Sequence, residues 1–242
     1  MYFRCVFLLL AVAVVRSAFP QNIRRITHRD GLSNSSILSL AQDADGYIWA
    51  GSCDGLNLWD GNSARHFRLS GNLIQEIVAT DAGYLWVRTT YGVDRFDTRD
   101  RRIEMLAGFQ RVYKFAARSR DEAFFLHGNK VYGYVASQGA CEPVDVRGAE
   151  LNGVLRMCLD GDGVLWLVRS EDMRCAQVAY DAGGRASVGE WERMPLPDGV
   201  VFTRYDGDRT IFFTARDGML FRVDAGQRRA FPIFALREEL GR

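Results

Sequence analysis

A motif of an Asp/Gly turn followed by an aromatic strand recurs along this 242-residue chain, and it restricts the fold more than any other feature. The stretch "DADGYIWAGSCDGLNLWD" (43–60) aligns without gaps on "TDAGYLWVRTTYGVDRFD", 37 residues further on. Gly46 falls on Gly83, Trp49 on Trp86, Gly55 on Gly92 and Asp60 on Asp97. At an offset of 117, Asp43, Asp45, Gly46 and Trp49 fall on Asp160, Asp162, Gly163 and Trp166. Two worn copies place Phe125 and Phe212 at the Trp position. The five anchors Trp49, Trp86, Phe125, Trp166 and Phe212 are 37, 39, 41 and 46 residues apart. A period near 40 means a solenoid or a propeller.

The runs within each unit decide between these two. The first unit reads "SILSLAQ", "YIWAGS", "LNLWD" and "ARHFRLS". The fourth reads "VLRMCLD", "VLWLVRS", "AQVAYD" and a run near "SVGEWERM". These runs are short, rich in branched and aromatic residues, and bounded by turn formers; none has a helical period. Four antiparallel strands per unit make a propeller blade. The fold class is therefore all-β, a β-propeller of four-stranded antiparallel blades, with about five blades present. Each anchor should be buried between adjacent blades.

The repeat also decides how its polar residues are read. Asp43-Ala44-Asp45-Gly46 opens like a calcium loop, but that loop needs a longer acidic ladder and a late Glu. Asp43 becomes Thr80 in the second copy while the Gly stays, so Gly gives a tight turn and Asp caps it. No metal site is expected, and no cofactor. "GSCDG" (51–55) has the outline of a nucleophile elbow, which needs a helix to follow; here a strand follows. Glycosidase chemistry needs two carboxylates about 5–9.5 Å apart, and no acidic pair stands outside the repeat turns. No catalytic residue is assigned.

Ahead of the repeats, "MYFRCVFLLLAVAVVRSAFPQ" has one basic residue, Arg4, before ten apolar ones. Ten residues are too few to span a bilayer but fit a secretory signal. Residues 1–17 are thus predicted to be removed, and 18–242 to form the propeller in the periplasm or outside the cell. Four cysteines then remain, Cys53, Cys141, Cys158 and Cys175, and they suit buried thiols better than a disulfide framework. The net charge is +1, which argues against a nucleic-acid partner. Positive charge is almost all Arg, with Lys114 and Lys130 the only lysines. His28 and His66 sit in runs that read as outer strands.

The phrase "DGLSNSSILSLAQDADGYIWAGSCDGLNLWDG" resembles the two-component regulator propeller repeat. The resemblance rests on Gly31, Leu32, Asn34, Ile37, Gln42, Asp43, Gly46, Ile48, Trp49, Gly51, Ser52, Gly55, Leu56, Trp59 and Asp60. The second copy departs at Arg88, where Gly is usual. The resemblance implies the extracytoplasmic sensing part of a hybrid sensor histidine kinase, responding to a glycan-type ligand and without kinase activity of its own. The alternatives are a secreted propeller hydrolase or lyase and a non-catalytic scaffold. The family's blade order puts the first strand innermost. Loops leading into first strands and loops between second and third strands then share one face. The ligand-face candidates are Asn34, Ser35, Asp54, Tyr91, Arg169 and Asp217. Whether Arg88 and Arg169 face a pocket or solvent stays open. "NIRRITH" reads as an outer strand without a blade of its own, so an incomplete ring that self-associates is expected.

Overall fold

The computed structural model describes residues 24–235, apart from 81, 107–110, 113, 197–199, 206–209, 216–218 and 225–228. From 200 onward it describes the backbone, and among side chains only that of Phe221. Short apolar runs pair with the next run in sequence, giving five antiparallel sheets, each in chain order. Blade 1 holds β1 (Ile37–Gln42), β2 (Ile48–Ser52), β3 (Gly55–Trp59) and β4 (Ala64–Phe67). Blade 2 holds β5 (Ile74–Thr80), β6 (Tyr84–Thr89), β7 (Val93–Asp97) and β8 (Ile103–Met105). Blade 3 holds β9 (Lys114–Ala117), β10 (Ala123–His127), β11 (Lys130–Val135) and β12 (Ala140–Val144). Blade 4 holds β13 (Arg156–Leu159), β14 (Val164–Val168), β15 (Asp172–Tyr180), β16 (Ala186–Val188) and β17 (Glu192–Pro195). Blade 5 holds β18 (Val200–Tyr205), β19 (Thr210–Ala215), β20 (Met219–Asp224) and β21 (Arg229–Ala235).

The first strands lie innermost: β1 packs on β5, β5 on β9 and β9 on β13. In propeller topology these inner strands line the side of the blades that faces the axis. The outer strands are the more exposed, β8 along its whole length. Blade 4 departs from the simple pattern because β15 is long. β16 pairs with its C-terminal half and β17 with its N-terminal half, so the outer strand is split in two.

The core fills the spaces between blades. Trp49, Leu56, Ile74, Leu85 and Phe96 join blades 1 and 2. Trp86, Phe115, Phe125 and Tyr134 join blades 2 and 3. Trp49 is 2% exposed, and Trp86, Phe125 and Trp166 are fully buried, as the repeat predicts. The side chain of Phe212, on β19, lies outside the described residues. Aromatic edges meet faces across the joints: Trp49 and Phe96 are 5.4 Å apart at 65°, Trp86 and Tyr134 5.3 Å at 72°. Such pairs add to area burial.

The turns explain the repeated Asp and Gly. Gly46 and Gly163 sit at φ +86° and +78°, where a side chain would be strained. Asp43 accepts from the amides of Asp45 and Tyr47, and its other oxygen takes the Trp49 indole N–H at 2.7 Å. Asp160 does the same for Asp162, Val164 and Trp166. The Asp therefore holds the blade anchor as well as capping the turn.

Two sequence expectations need correcting. Within "NIRRITH", residues 24–27 form no strand, and His28–Asp30 is a 3-10 turn closed by a Thr27–Asp30 capping box. His28 is exposed in that turn, while His66 is exposed on β4. A turn wins because Thr27 and Asp30 satisfy each other's backbone locally. The predicted signal segment, 1–17, lies outside the described residues.

Cys53, Cys141 and Cys158 form no disulfide among the described residues. Cys158 and Cys175 flank Trp166 on either side in the ladder. That spacing is about 9–10 Å, beyond disulfide reach. Burial pushes the Cys141 and Cys158 thiols up to about 12.

Candidate functional site at the channel mouth

Strand register fixes which loops share an end. Ile37 pairs with Ser52, Ile74 with Thr89 and Arg156 with Val168. The loops leading into β1, β5 and β13 therefore emerge beside the β2–β3, β6–β7 and β14–β15 turns. The Asp/Gly turns lie at the opposite end.

Among the candidates, Asn34, Ser35, Asp54, Tyr91 and Arg169 fall on this shared end, Asn34 and Ser35 together on the loop into β1 and the others on separate loops. Asn34 is half-buried and its Oδ1 accepts from the Ser36 amide at 2.7 Å, closing a local turn. Ser35 and Asp54 are exposed. Tyr91 is 62% exposed at the β6–β7 turn. Arg169 is engaged by acidic neighbours: its Nη1 binds Glu150 at 2.7 Å and lies 3.5 Å from Asp172. Asp172 is buried and also faces Arg174 and Arg193, so this is an ion-pair hub within blade 4. Asp217 lies outside the described residues.

Sequence reasoning missed a second group at the same end, on the inner edge of the blades. Ser39, Glu76 and Arg156 occupy one position on the first strands of blades 1, 2 and 4, opposite Gly51, Arg88 and Val168. Glu76 is buried, and both of its oxygens are engaged. Arg88 Nε donates to Oε2 at 3.3 Å, and Arg156, two blades on, donates to Oε1. Arg88 Nη1 also donates to Gln75 Oε1 at 2.5 Å. Lys114 is the first residue of β9, the inner strand that packs on β5, which bears Glu76, and on β13, which bears Arg156. Burial holds its ammonium below the usual lysine range; Glu76 pulls it up, and Arg88 and Arg156 push it down. The one legible sign of this cluster was Arg88, standing where the repeat has Gly.

A cleft of about 340 Å³ lies among Glu122, Ser137, Tyr180 and Gly183, at the Asp/Gly-turn end between blades 3 and 4. Glu122 is tied there to Arg118 at 2.6 Å, and burial raises the Tyr180 phenol well above its usual value. Among the described residues no group of three His, Cys, Asp or Glu side chains gathers to hold a metal.

Five antiparallel blades, four of them four-stranded and blade 4 with its outer strand split in two, define a β-propeller. The comparisons narrow this: residues 31–54 match the two component regulator propeller family. Histidine kinase P4 of Formosa agariphila is 37% identical over 62 residues, 26% of this chain and 4% of that protein. The extracellular domain of a hybrid two component system from B. thetaiotaomicron aligns with a TM-score of 0.58 at 21% identity, over 81% of this chain and 27% of that one. Virginiamycin B lyase from Staphylococcus aureus aligns with a TM-score of 0.57 at 10% identity, over 82% and 69%. At these identities the two structures share the fold. The chain spans a small part of the kinase and about a quarter of the extracellular domain it matches.

Proposed function

We propose that this propeller is an extracytoplasmic ligand-sensing domain of two-component signalling, responding to a glycan-derived ligand and not itself catalytic. The observation that carries the reading is the family repeat at 31–54, joined to the likeness to the extracellular domain of a hybrid two component system. Export through the segment 1–17 belongs to the same reading. Among the described residues no helix is long and apolar enough to cross a membrane. The face bearing Ser35, Asp54 and Tyr91 supplies an aromatic ring for stacking on a sugar and polar groups for its hydroxyls. Isothermal titration of an oligosaccharide panel tests this. Binding that weakens in Tyr91→Ala supports the reading, and no binding across the panel removes it.

The likeness to virginiamycin B lyase keeps an enzyme as the second reading. Turnover of any glycan in the panel would favour it. The expected self-association has a surface on β1, where Leu38 and Leu40 are each 50% exposed. Sedimentation separates the cases: a monomer at tens of micromolar removes self-association from the reading.

A further inference from the structure

The charge at the channel mouth is out of balance. Among the described residues Arg88 and Arg156 take both oxygens of the one carboxylate there, Glu76, and a third cation, Lys114, begins β9, the inner strand that packs on β5 and β13. Among the described residues Lys114 forms no ion pair of its own. Partly buried charge without a partner is costly. A network that only held the blades together would be expected to end closer to neutrality.

The fold does not require these charges. The position of Lys114 on its first strand is one residue before the partner of the aromatic anchor. The same position is Leu40 in blade 1, Ile77 in blade 2 and Met157 in blade 4. The position of Arg88 is Gly51 in blade 1 and Val168 in blade 4, and that of Glu76 is Ser39 in blade 1. Three other blades thus build this level with an apolar residue where blade 3 has Lys114. The charged set appears where blades 2, 3 and 4 converge on the axis, beside the loop face that carries Tyr91.

We propose that the channel mouth binds an anionic group, a carboxylate or sulfate, between Arg88, Lys114 and Arg156. Glu76 acts as the positioning residue, holding the two guanidinium groups in place while leaving the ammonium free for the ligand. Arginine offers planar forks suited to such oxyanions, and lysine a point charge. As an account of the ligand, this rests on the sensing reading: the sensed molecule would carry an acidic substituent, seated at the axis while its neutral part meets the loop face. The anion site itself is independent of that reading.

The two lysines make the test direct. Reductive ¹³C-methylation labels Lys114 and Lys130, the latter an exposed control at the β10–β11 turn. The protein is titrated with sodium sulfate, glucuronate and glucose, with chloride matching the ionic strength. The expected result is that sulfate and glucuronate move the Lys114 resonance and raise its titration midpoint, while glucose and chloride do not. Lys130 should stay still. In Lys114→Met, which copies blade 4, calorimetric affinity for both anions should fall about tenfold, the loss of one charge-assisted bond. An unmoved Lys114 resonance overturns the proposal, and so does unchanged anion affinity in the variant. The resonance in the unaltered protein decides the matter if the variant fails to fold. Neutral oligosaccharides binding while sulfate and glucuronate leave Lys114 unmoved would overturn the anion site and keep the sensor. A sulfate response with no sugar response would support the site and count against a glycan ligand.

Discussion

In blade 1 the Trp49 indole donates to Asp43 in the turn of its own blade. In blade 2 the Trp86 indole reaches out of the blade to the Ser119 carbonyl of blade 3, 2.8 Å away. The change follows from one residue: Thr80 stands where Asp43 does, and its short hydroxyl donates to the Tyr84 carbonyl instead. The joints differ in the same sense. The joint between blades 1 and 2 is apolar, and Gly51 allows a close approach; a Cβ there would lie 2.5 Å from Ile74 Cγ2. The joint between blades 2 and 3 is threaded by Arg95, which lies over the Tyr84, Trp86 and Tyr134 rings and bonds Glu104, the Arg120 carbonyl and Asp121. One frame therefore gives a blade whose polar anchors close on themselves and a blade whose anchors cross to its neighbour. The channel-mouth charges belong to the second kind.

The largest way to test this contrast is to remove the anchors. Trp49→Ala and Trp86→Ala should each cost about 4 kcal/mol in urea unfolding, the usual loss for a buried Trp. Hydrogen exchange should then separate them. Loss of Trp86 should raise exchange in blade 3 around Ser119, whereas loss of Trp49 should stay within blades 1 and 2. Equal spread in both would break the comparison.

A smaller effect is expected from the turns. Asp43→Ala leaves the Trp49 indole and two amides without their acceptor and should cost about 3 kcal/mol, against about 1 kcal/mol for Thr80→Ala. The melting temperatures of the two variants check this, and equal losses would show that the Trp indole bond contributes little. Gly51→Ala should cost about 2 kcal/mol through overpacking against Ile74. If its unfolding midpoint matches that of the parent protein, blade 2 shifts freely and the joint is looser than described.

The smallest effect should be a gain. Asn57 in blade 1 accepts from the Ser33 amide and donates to the Ala50 carbonyl. Asp94, its counterpart, accepts from the Ser70 amide, but its Oδ1 has no partner. Burial raises the Asp94 carboxyl above its ordinary 3.8. Asp94 therefore favours folding most below that ordinary value, and its contribution is lost as pH rises through the folded-state value. Asp94→Asn should add up to about 1 kcal/mol at neutral pH by restoring the donor of blade 1. It should also flatten stability between pH 4 and neutrality. A destabilised variant at pH 7 would show that the carboxylate is better satisfied than its contacts indicate.

The legible parts of the chain were those written within one unit. The four runs of the first unit match β1 to β4 because alternation and turn residues act over a few neighbours. Gly46, Gly83 and Gly163 were legible for the same reason, each in a positive-φ turn. "NIRRITH" misled because a strand pattern forms a strand only where a sheet edge receives it, and the Thr27–Asp30 box offered a nearer solution. Arg169 was read as a loop residue with two open settings. Its ion pair with Glu150 comes from a residue 19 positions away in another loop.

The sequence by itself determined the blade: its strand count, its tight turns and the aromatic residue that must be buried, all set by contacts within about 40 residues. Tertiary structure decided what each blade's polar residues meet. Glu76 and Arg156 are 80 residues apart, and Ser119 is 33 from Trp86. No local pattern encodes such pairs, because they depend on how the blades turn about the axis. That rotation is set by the packing of many side chains at each joint, and only the assembled propeller brings Arg88, Lys114 and Arg156 to one place.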